Sequence, residues 1–292
     1  MGSHQDSTPE SPDSPDPLPV PATAAGRAGL DALLARPGRA VIALDFDGTL
    51  APIVPDPDLA RAHPGAVPVL AALAPHVASV AIVTGRPAGT AVRHGGLADV
   101  PGLDRLVVLG HYGAERWDAA TGTVTAPPPH PGVEAARADL PGLLAGAGAG
   151  EGTRIEEKGY ALAVHTRRAA DPQGAFEALR GPLAELARRH GLLVEPGRMV
   201  LELRPPGMDK GVALRDHVRA TGAGSVLYAG DDLGDLPAFA AVGVLRAEGV
   251  PGLLVASASA EVAALTERAD LTVDGPSGVV GLLRALTARL SR

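Results

Sequence analysis

Cysteine is absent from this 292-residue chain. That excludes a disulfide framework, a thiolate zinc site and a cysteine nucleophile. Aromatic residues are scarce at 2%, too few for the stacking platforms that hold single-stranded nucleic acid. Positive charge is in deficit: 26 Lys and Arg stand against 33 Asp and Glu, for a net charge of −7. A general nucleic-acid binder or an anionic-membrane binder needs the opposite balance to neutralise phosphates. No apolar run reaches the ~18 residues of a membrane-spanning helix. The first residues lack the basic and apolar regions of a secretory leader. A cytoplasmic protein is therefore expected, with no nucleic-acid or membrane partner; protein partners are left unassigned.

What the chain does have is apolar surface to bury. Hydrophobic residues make up 46% and charged residues 20%, near the ordinary globular balance. The length suits one large domain, or a core with a smaller companion. Residues 1–25 stand apart, built from Ser, Pro, Asp and Thr with prolines at 9, 12, 15, 17, 19 and 21. They offer no apolar face, so this segment is expected to be disordered. From Leu30 onward short apolar runs alternate with amphipathic helices. The runs at 41–44, 79–83, 105–109 and 225–229 each lead into a polar or glycine-containing turn. Continuous apolar strands of this length are buried on both faces, as in a parallel sheet covered by helices. Between 116 and 204 the texture changes. Pro-rich turns at 127–129 precede an Ala-rich helix at 133–144. Strands at 160–165 and 199–204 then flank a helix at 173–190. The expected architecture is α/β: a Rossmann-like parallel-sheet core at 26–115 and 205–292, with a small α+β cap inserted at 116–204.

Chemistry-bearing residues gather where the apolar runs end. Asp45-Phe46-Asp47-Gly48-Thr49 follows the first strand. Two carboxylates spaced i and i+2 past a strand share a small space, and Gly48 permits a tight turn. The pair suits Mg²⁺, which takes oxygen ligands, and it suits nucleophile and acid–base work. Alone, such a turn is also an ordinary cap. Gly230-Asp231-Asp232-Leu233-Gly234-Asp235 follows another apolar strand. Carboxylates placed together repel unless a cation lies between them, so two acidic clusters at strand ends of one sheet point to a divalent-metal site. Thr84-Gly85-Arg86 offers a hydroxyl and backbone N–H groups to phosphate oxygens at a third strand end. Lys210, opening a helix after Asp209, is the candidate counter-charge.

These four elements, in this order, resemble the haloacid dehalogenase-like phosphotransferases. The resemblance runs from about Leu30 onward. It implies that Asp45 attacks the phosphoryl group to form an aspartyl phosphate, that Asp47 serves as acid and then base, and that Thr84 and Lys210 hold the phosphoryl oxygens. It also implies Mg²⁺ bound by Asp45, the backbone carbonyl of Asp47 and Asp231, supported by Asp232 or Asp235. The acid at Asp47 favours an ester phosphatase over an ATPase, because a sugar alkoxide needs a proton to leave. The stretch between Asp45 and Thr84 is too short for a domain of ~50 residues, whereas that between Thr84 and Lys210 has room. A cap in that place resembles the sugar-phosphatase branch.

Two stretches resemble the trehalose-phosphatase family within that branch: Glu156-Glu157-Lys158 followed by His165-Thr166-Arg167, and Gly197-Arg198 through Glu202-Leu203-Arg204-Pro205. Asp45 to Val54 matches that family as well. Carried over, Glu157, Lys158, His165, Arg198 and Glu202 contact the sugar hydroxyls or the phosphate, beside Gly85, Arg86 and Tyr112 on the core. Charged residues alternating along a cap strand are equally compatible with a solvated face. The sequence departs from the family at Gly110-His111-Tyr112-Gly113, where either Tyr112 or His111 takes the place of a family histidine. Gly234 and Leu236 replace a threonine and a glutamate. The expectation is a Mg²⁺-dependent phosphatase of trehalose 6-phosphate. The alternatives are a phosphatase of sucrose phosphate or mannosylphosphoglycerate, a phosphosugar mutase, or a non-catalytic sugar-phosphate-binding regulator.

Overall fold

The computed structural model describes residues 17–147, 151–197, 199–258 and 263–292. Along the chain come α1 (Ala24–Ala35), β1 (Ala40–Leu44), α2 (Ala66–Leu73), β2 (Ser79–Val83), α3 (Ala88–Gly95) and β3 (Leu106–Gly110). A hairpin, β4 (Glu115–Asp118) and β5 (Thr123–Thr125), leads into α4 (Pro131–Gly146), β6 (Arg154–Glu157), β7 (Leu162–His165), α5 (Pro172–Arg189), β8 (Leu193–Gly197) and β9 (Val200–Arg204). There follow α6 (Lys210–Ala220), β10 (Ser225–Gly230), α7 (Leu236–Ala247), β11 (Gly252–Ser257), α8 (Ala263–Thr266), β12 (Leu271–Val273) and α9 (Gly275–Leu290).

One sheet runs β12-β11-β10-β1-β2-β3-β4-β5, parallel from β12 to β3 and antiparallel across β4 and β5. Every residue of β1, β2, β3, β10 and β11 is buried. The reason is visible in the alternation. Ile42, Leu44, Val80 and Ile82 pack with α1, α2 and α9. Val41, Ala43, Ala81 and Val83 pack on the other face, with α6 and α7. A strand covered twice needs apolar residues at every position. Strand order reverses at β1, which lies between β10 and β2. Such a reversal opens a crevice at the carboxyl ends of the strands, and Asp45, Thr84 and Asp231 occupy those ends.

The second sheet, β6-β7-β9-β8, is antiparallel throughout. Leu162, Val164, Leu201 and Leu203 turn one face onto α4 and α5. The alternate residues, among them Ala163, His165, Glu202 and Arg204, occupy the other face.

Two boundaries differ from the sequence reading. It starts the cap at 116, yet β4 and β5 extend the large sheet: Trp117 pairs with Val108 and is buried in the core. The segment read as disordered, 1–25, is only partly described, since residues 1–16 lie outside the described residues. Ala24 and Ala25 open α1, because the Thr23 hydroxyl accepts from Gly26 N at 2.9 Å and caps the helix. Among the described residues no helix is long and apolar enough to cross a membrane.

Candidate active site

Asp45 leaves β1 with its amide bonded to Ala229 O at 2.8 Å, which ties it to β10. Its side chain is buried. The turn that follows needs glycine twice over. Gly48 has φ +76°, and a Cβ there would stand 2.0 Å from Asp231 Oδ2. Ser257, at the end of β11, donates to Gly48 O at 2.7 Å and fixes the turn from a third strand. The two acidic clusters are thereby packed directly against each other.

Lys210 is the first residue of α6, capped by Asp209, whose Oδ1 accepts from Val212 N at 2.8 Å. A cation in the first turn opposes the helix dipole, so carboxylates must compensate it. They do: Lys210 Nζ lies 2.8 Å from Asp45 Oδ1 and 2.8 Å from Asp235 Oδ1. Burial opposes the lysine's charge, but Asp235 and Asp45 outweigh it and hold its pKa well above the ordinary value. Burial, with Asp235 and Asp231 adding to it and Lys210 opposing, raises Asp45 well above the usual carboxylate range. Asp231 is pushed up to about 7, by burial first and then by Asp232 and Asp235.

The acidic residues divide by partner. Asp235 is fully buried and accepts from four donors: Lys210 Nζ, the Tyr228 hydroxyl, and the backbone N–H groups of Asp231 and Asp232. Asp232 is exposed, and its side chain caps the short turn at 233–235. Among the described residues Asp231 Oδ1 is buried without a hydrogen-bond donor. Ligand atoms of Asp45, Asp231 and Asp235 lie within 4.8 Å of one another. An orphaned buried carboxylate oxygen beside a second carboxylate fits a hard divalent cation. Asp45 and Asp231 are the side chains with capacity for it, while Asp235 is already engaged on both oxygens.

Thr84 is buried at the end of β2, and its hydroxyl accepts from Arg86 N at 3.1 Å. The loop is pinned by His111 N to Arg86 O and Tyr112 N to Thr84 O, both at 2.9 Å. His111 and Tyr112 pay for this with left-handed backbones, φ +47° and +57°. The Tyr112 ring lies against Gly85, where a Cβ would stand 2.8 Å from its hydroxyl, and the Arg204 guanidinium lies 4.9 Å over the ring centroid. The His111 ring turns instead toward Tyr160, 5.5 Å between centroids. Arg86, read from sequence as a phosphate contact, grips Asp47 with two bonds, Nε to Oδ2 at 2.6 Å and Nη2 to Oδ1 at 2.8 Å.

On the second sheet Lys158 Nζ meets Glu202 Oε2 at 2.7 Å, and among the described residues Glu202 Oε1 is buried without a partner. His165 Nε2 and Glu156 Oε2 are 2.7 Å apart on the same face. Glu157 stands apart from the other cap residues named from the sequence. It pairs in register with Leu162, on the face that packs the helices, and meets Arg137 of α4 at 3.2 Å. Side chains alternate along a strand, so a choice between adjacent glutamates is a choice of face. Arg198 lies outside the described residues. Tyr228 and Ser257 are absent from the sequence reading. Each sits in an otherwise apolar run; the partner of Tyr228 is seven residues on, past the strand end, and that of Ser257 is 209 residues away.

The sequence profile of the trehalose-phosphatase family matches residues 43–274. A trehalose-phosphate phosphatase of Mycobacterium marinum is 38% identical over 222 residues, covering 70% of this chain and 52% of that protein. One from Mycolicibacterium paratuberculosis is 37% identical over 243 residues, 77% of this chain and 56% of that protein. The chain thus spans about half the length of the curated relatives it matches. A trehalose-6-phosphate phosphatase structure from Aspergillus fumigatus superposes with a TM-score of 0.66 at 25% identity, over 92% of this chain and 99% of that one. The C-terminal domain of a Candida albicans trehalose-6-phosphate phosphatase superposes with a TM-score of 0.71 at 20% identity, over 93% and 99%, and shows the shared fold.

Proposed function

The chain belongs to the trehalose-phosphatase family, and from that premise we propose that it hydrolyses trehalose 6-phosphate to trehalose and phosphate. In the first half-reaction a carboxylate oxygen of Asp45 attacks phosphorus and the bond to the sugar oxygen breaks. Asp47 gives its proton to the departing alkoxide, which is too basic to leave alone. In the second half-reaction Asp47 takes a proton from water as that water attacks the aspartyl phosphate. The phosphorus–oxygen bond to Asp45 breaks, and inorganic phosphate leaves. Thr84, the Gly85 amide and Lys210 hold the phosphoryl oxygens, while the Arg86 amide braces the Thr84 hydroxyl. Both oxygens of Asp47 accept from Arg86, so proton delivery requires one of those contacts to open.

The site suits a divalent cation, and we assign Mg²⁺ to Asp45, Asp231 and the backbone carbonyl of Asp47, with Asp232 nearby. When bound, the ion neutralises charge at the phosphoryl group. The cap, 126–204 in this reading, brings Lys158, Glu202 and His165 to the sugar and excludes water. A doubly charged sugar phosphate does not cross a bilayer unaided, which supports a cytoplasmic site of action.

The observation that carries the reading is Lys210 Nζ, 2.8 Å from the buried Asp45, with the unpartnered Asp231 Oδ1 in the same cluster. Phosphate release from a panel of sugar phosphates, with and without Mg²⁺, tests it. The expected result is Mg²⁺-dependent preference for trehalose 6-phosphate, with turnover abolished in Asp45→Asn and its circular dichroism unchanged. Wild-type turnover in Asp45→Asn would refute the covalent route. Preference for another sugar phosphate would keep the core chemistry and refute the substrate.

A further inference from the structure

We propose that Tyr228 is a positioning residue for phosphoryl transfer: acting through Asp235, it holds Lys210 against Asp45. The inference rests on the phosphatase reading above. Tyr228 lies in β10 and is fully buried. A buried phenol must find a hydrogen-bond partner, and this one donates to Asp235 Oδ1 at 2.6 Å. The same oxygen accepts from Lys210 Nζ at 2.8 Å, and Nζ reaches Asp45 Oδ1 at 2.8 Å. Asp235 Oδ2 is occupied by the amides of Asp231 and Asp232 at 2.9 and 3.2 Å. A chain of contacts therefore runs from Tyr228 through Asp235 and Lys210 to the nucleophile.

Packing alone does not require the hydroxyl. The Tyr228 ring stands edge-on to Phe239, 6.1 Å between centroids, within an apolar cluster. Phenylalanine would fill the same volume. The hydroxyl instead decides where Asp235 points. Asp235 has a ligand atom within 4.8 Å of those of Asp45 and Asp231, close enough to turn toward a cation. Two donors on Oδ1 keep it facing Lys210. With the phenol removed, one donor remains, the carboxylate is freer to join Asp45 and Asp231, and Lys210 loses its fixed support.

The test compares Tyr228→Phe, Asp235→Asn and the double variant with the wild type in the full chain. Thermal melts confirm folding. Kinetics are read on trehalose 6-phosphate and on an aryl phosphate, and Mg²⁺ binding is read as the midpoint of a thermal-shift titration without substrate. Tyr228→Phe is expected to lower kcat roughly tenfold on both substrates, the scale of one hydrogen bond to a charged group, with KM changed less than twofold. Its Mg²⁺ midpoint should fall at least threefold, because Asp235 becomes available to the ion. In the Asp235→Asn background Tyr228→Phe should cost nothing further, since the effect runs through Asp235. If Asp235→Asn does not fold, the two Tyr228→Phe readouts decide alone. A wild-type kcat, an equal loss in both backgrounds, or an unchanged or raised Mg²⁺ midpoint would each overturn the assignment. The aryl phosphate reports the core chemistry whichever sugar is the substrate, and Mg²⁺ binding needs no turnover. Failure here is therefore separable from failure of the substrate reading.

Discussion

If the proposed activity holds, Glu202 is the residue on which sugar recognition would turn most directly. Its Oε2 is held by Lys158, while its Oε1 is buried and, among the described residues, unpartnered. A buried acceptor without a donor costs roughly 1–3 kcal/mol, and sugar hydroxyls are the donors that would satisfy it. Glu202→Ala should lower kcat/KM on trehalose 6-phosphate about 10- to 100-fold, the range for hydrogen bonds to a charged group. On a small aryl phosphate the loss should stay within about threefold, since that substrate offers no hydroxyls. Equal losses on the two substrates would make Glu202 a structural support for Lys158. The charged residues on the cap were legible as a set but not by face. Glu156 and Glu157 are adjacent, and only the register of β6 against β7 sends one to the open face and the other to Arg137. Tyr228 was illegible for a different reason: in an apolar run its ring reads as core, and only the fold brings its hydroxyl to Asp235.

At the scale of elements, the carboxyl ends of four strands converge on one turn. β1 supplies Asp45, β2 Thr84, β10 Asp231 and β11 Ser257. Ser257 is the least obvious contributor, because its hydroxyl acts on a backbone atom, the Gly48 carbonyl at 2.7 Å. Ser257→Ala leaves that carbonyl short of a buried donor, so stability should fall by about 1–2 kcal/mol. A drop in Tm of roughly 3 °C in a thermal melt is the expected reading. The same variant should weaken Mg²⁺ binding several-fold, since Gly48 packs on Asp231. A lower Tm with unchanged Mg²⁺ affinity would confine Ser257 to the fold. The central strands were legible because two-sided burial leaves an unbroken apolar run, and 79–83 matches β2 residue for residue. The hairpin of β4 and β5 was not. Glu115, Arg116 and Asp118 are polar because the hairpin lies at the sheet's edge, and three-residue β5 is wholly exposed. Edge strands carry little of the periodicity that marks a buried one.

For the whole molecule, two buried groups pull stability in opposite directions with pH. His217 of α6 is buried against Ser79, with Arg116 beside it, and burial first, then Arg116, lowers its pKa to about 4. A base whose folded pKa lies below its unfolded value of ~6.5 stabilises the fold above that value. The contribution is lost as pH falls from about 6.5 toward 4, and it amounts to roughly 3 kcal/mol. Asp231, pushed up to about 7, does the reverse in metal-free protein. Its protonated form favours the fold at low pH, and that advantage is lost as pH rises from about 4 through 7. Asp45, raised by burial as well, acts in the same direction as Asp231 and outweighs the opposing His217 effect, so the Tm of metal-free protein should fall as pH rises through that window. A cation at Asp231 replaces the proton and removes the second effect. Saturating Mg²⁺, at about 100 times its dissociation constant, should add roughly 3 kcal/mol at pH 8, or about 5 °C in Tm. At pH 5 the gain should be close to zero, because protons compete for the same carboxylates. His217→Gln separates the two effects: in Mg²⁺-saturated protein it should flatten the acid-side loss between pH 6.5 and 4 while leaving the gain at pH 8 intact. Thermal melts at pH 5 and pH 8, with and without Mg²⁺, make the measurement. A Mg²⁺ gain as large at pH 5 as at pH 8 would mean that the ion does not displace a proton from Asp231, and the metal assignment would have to move to other ligands.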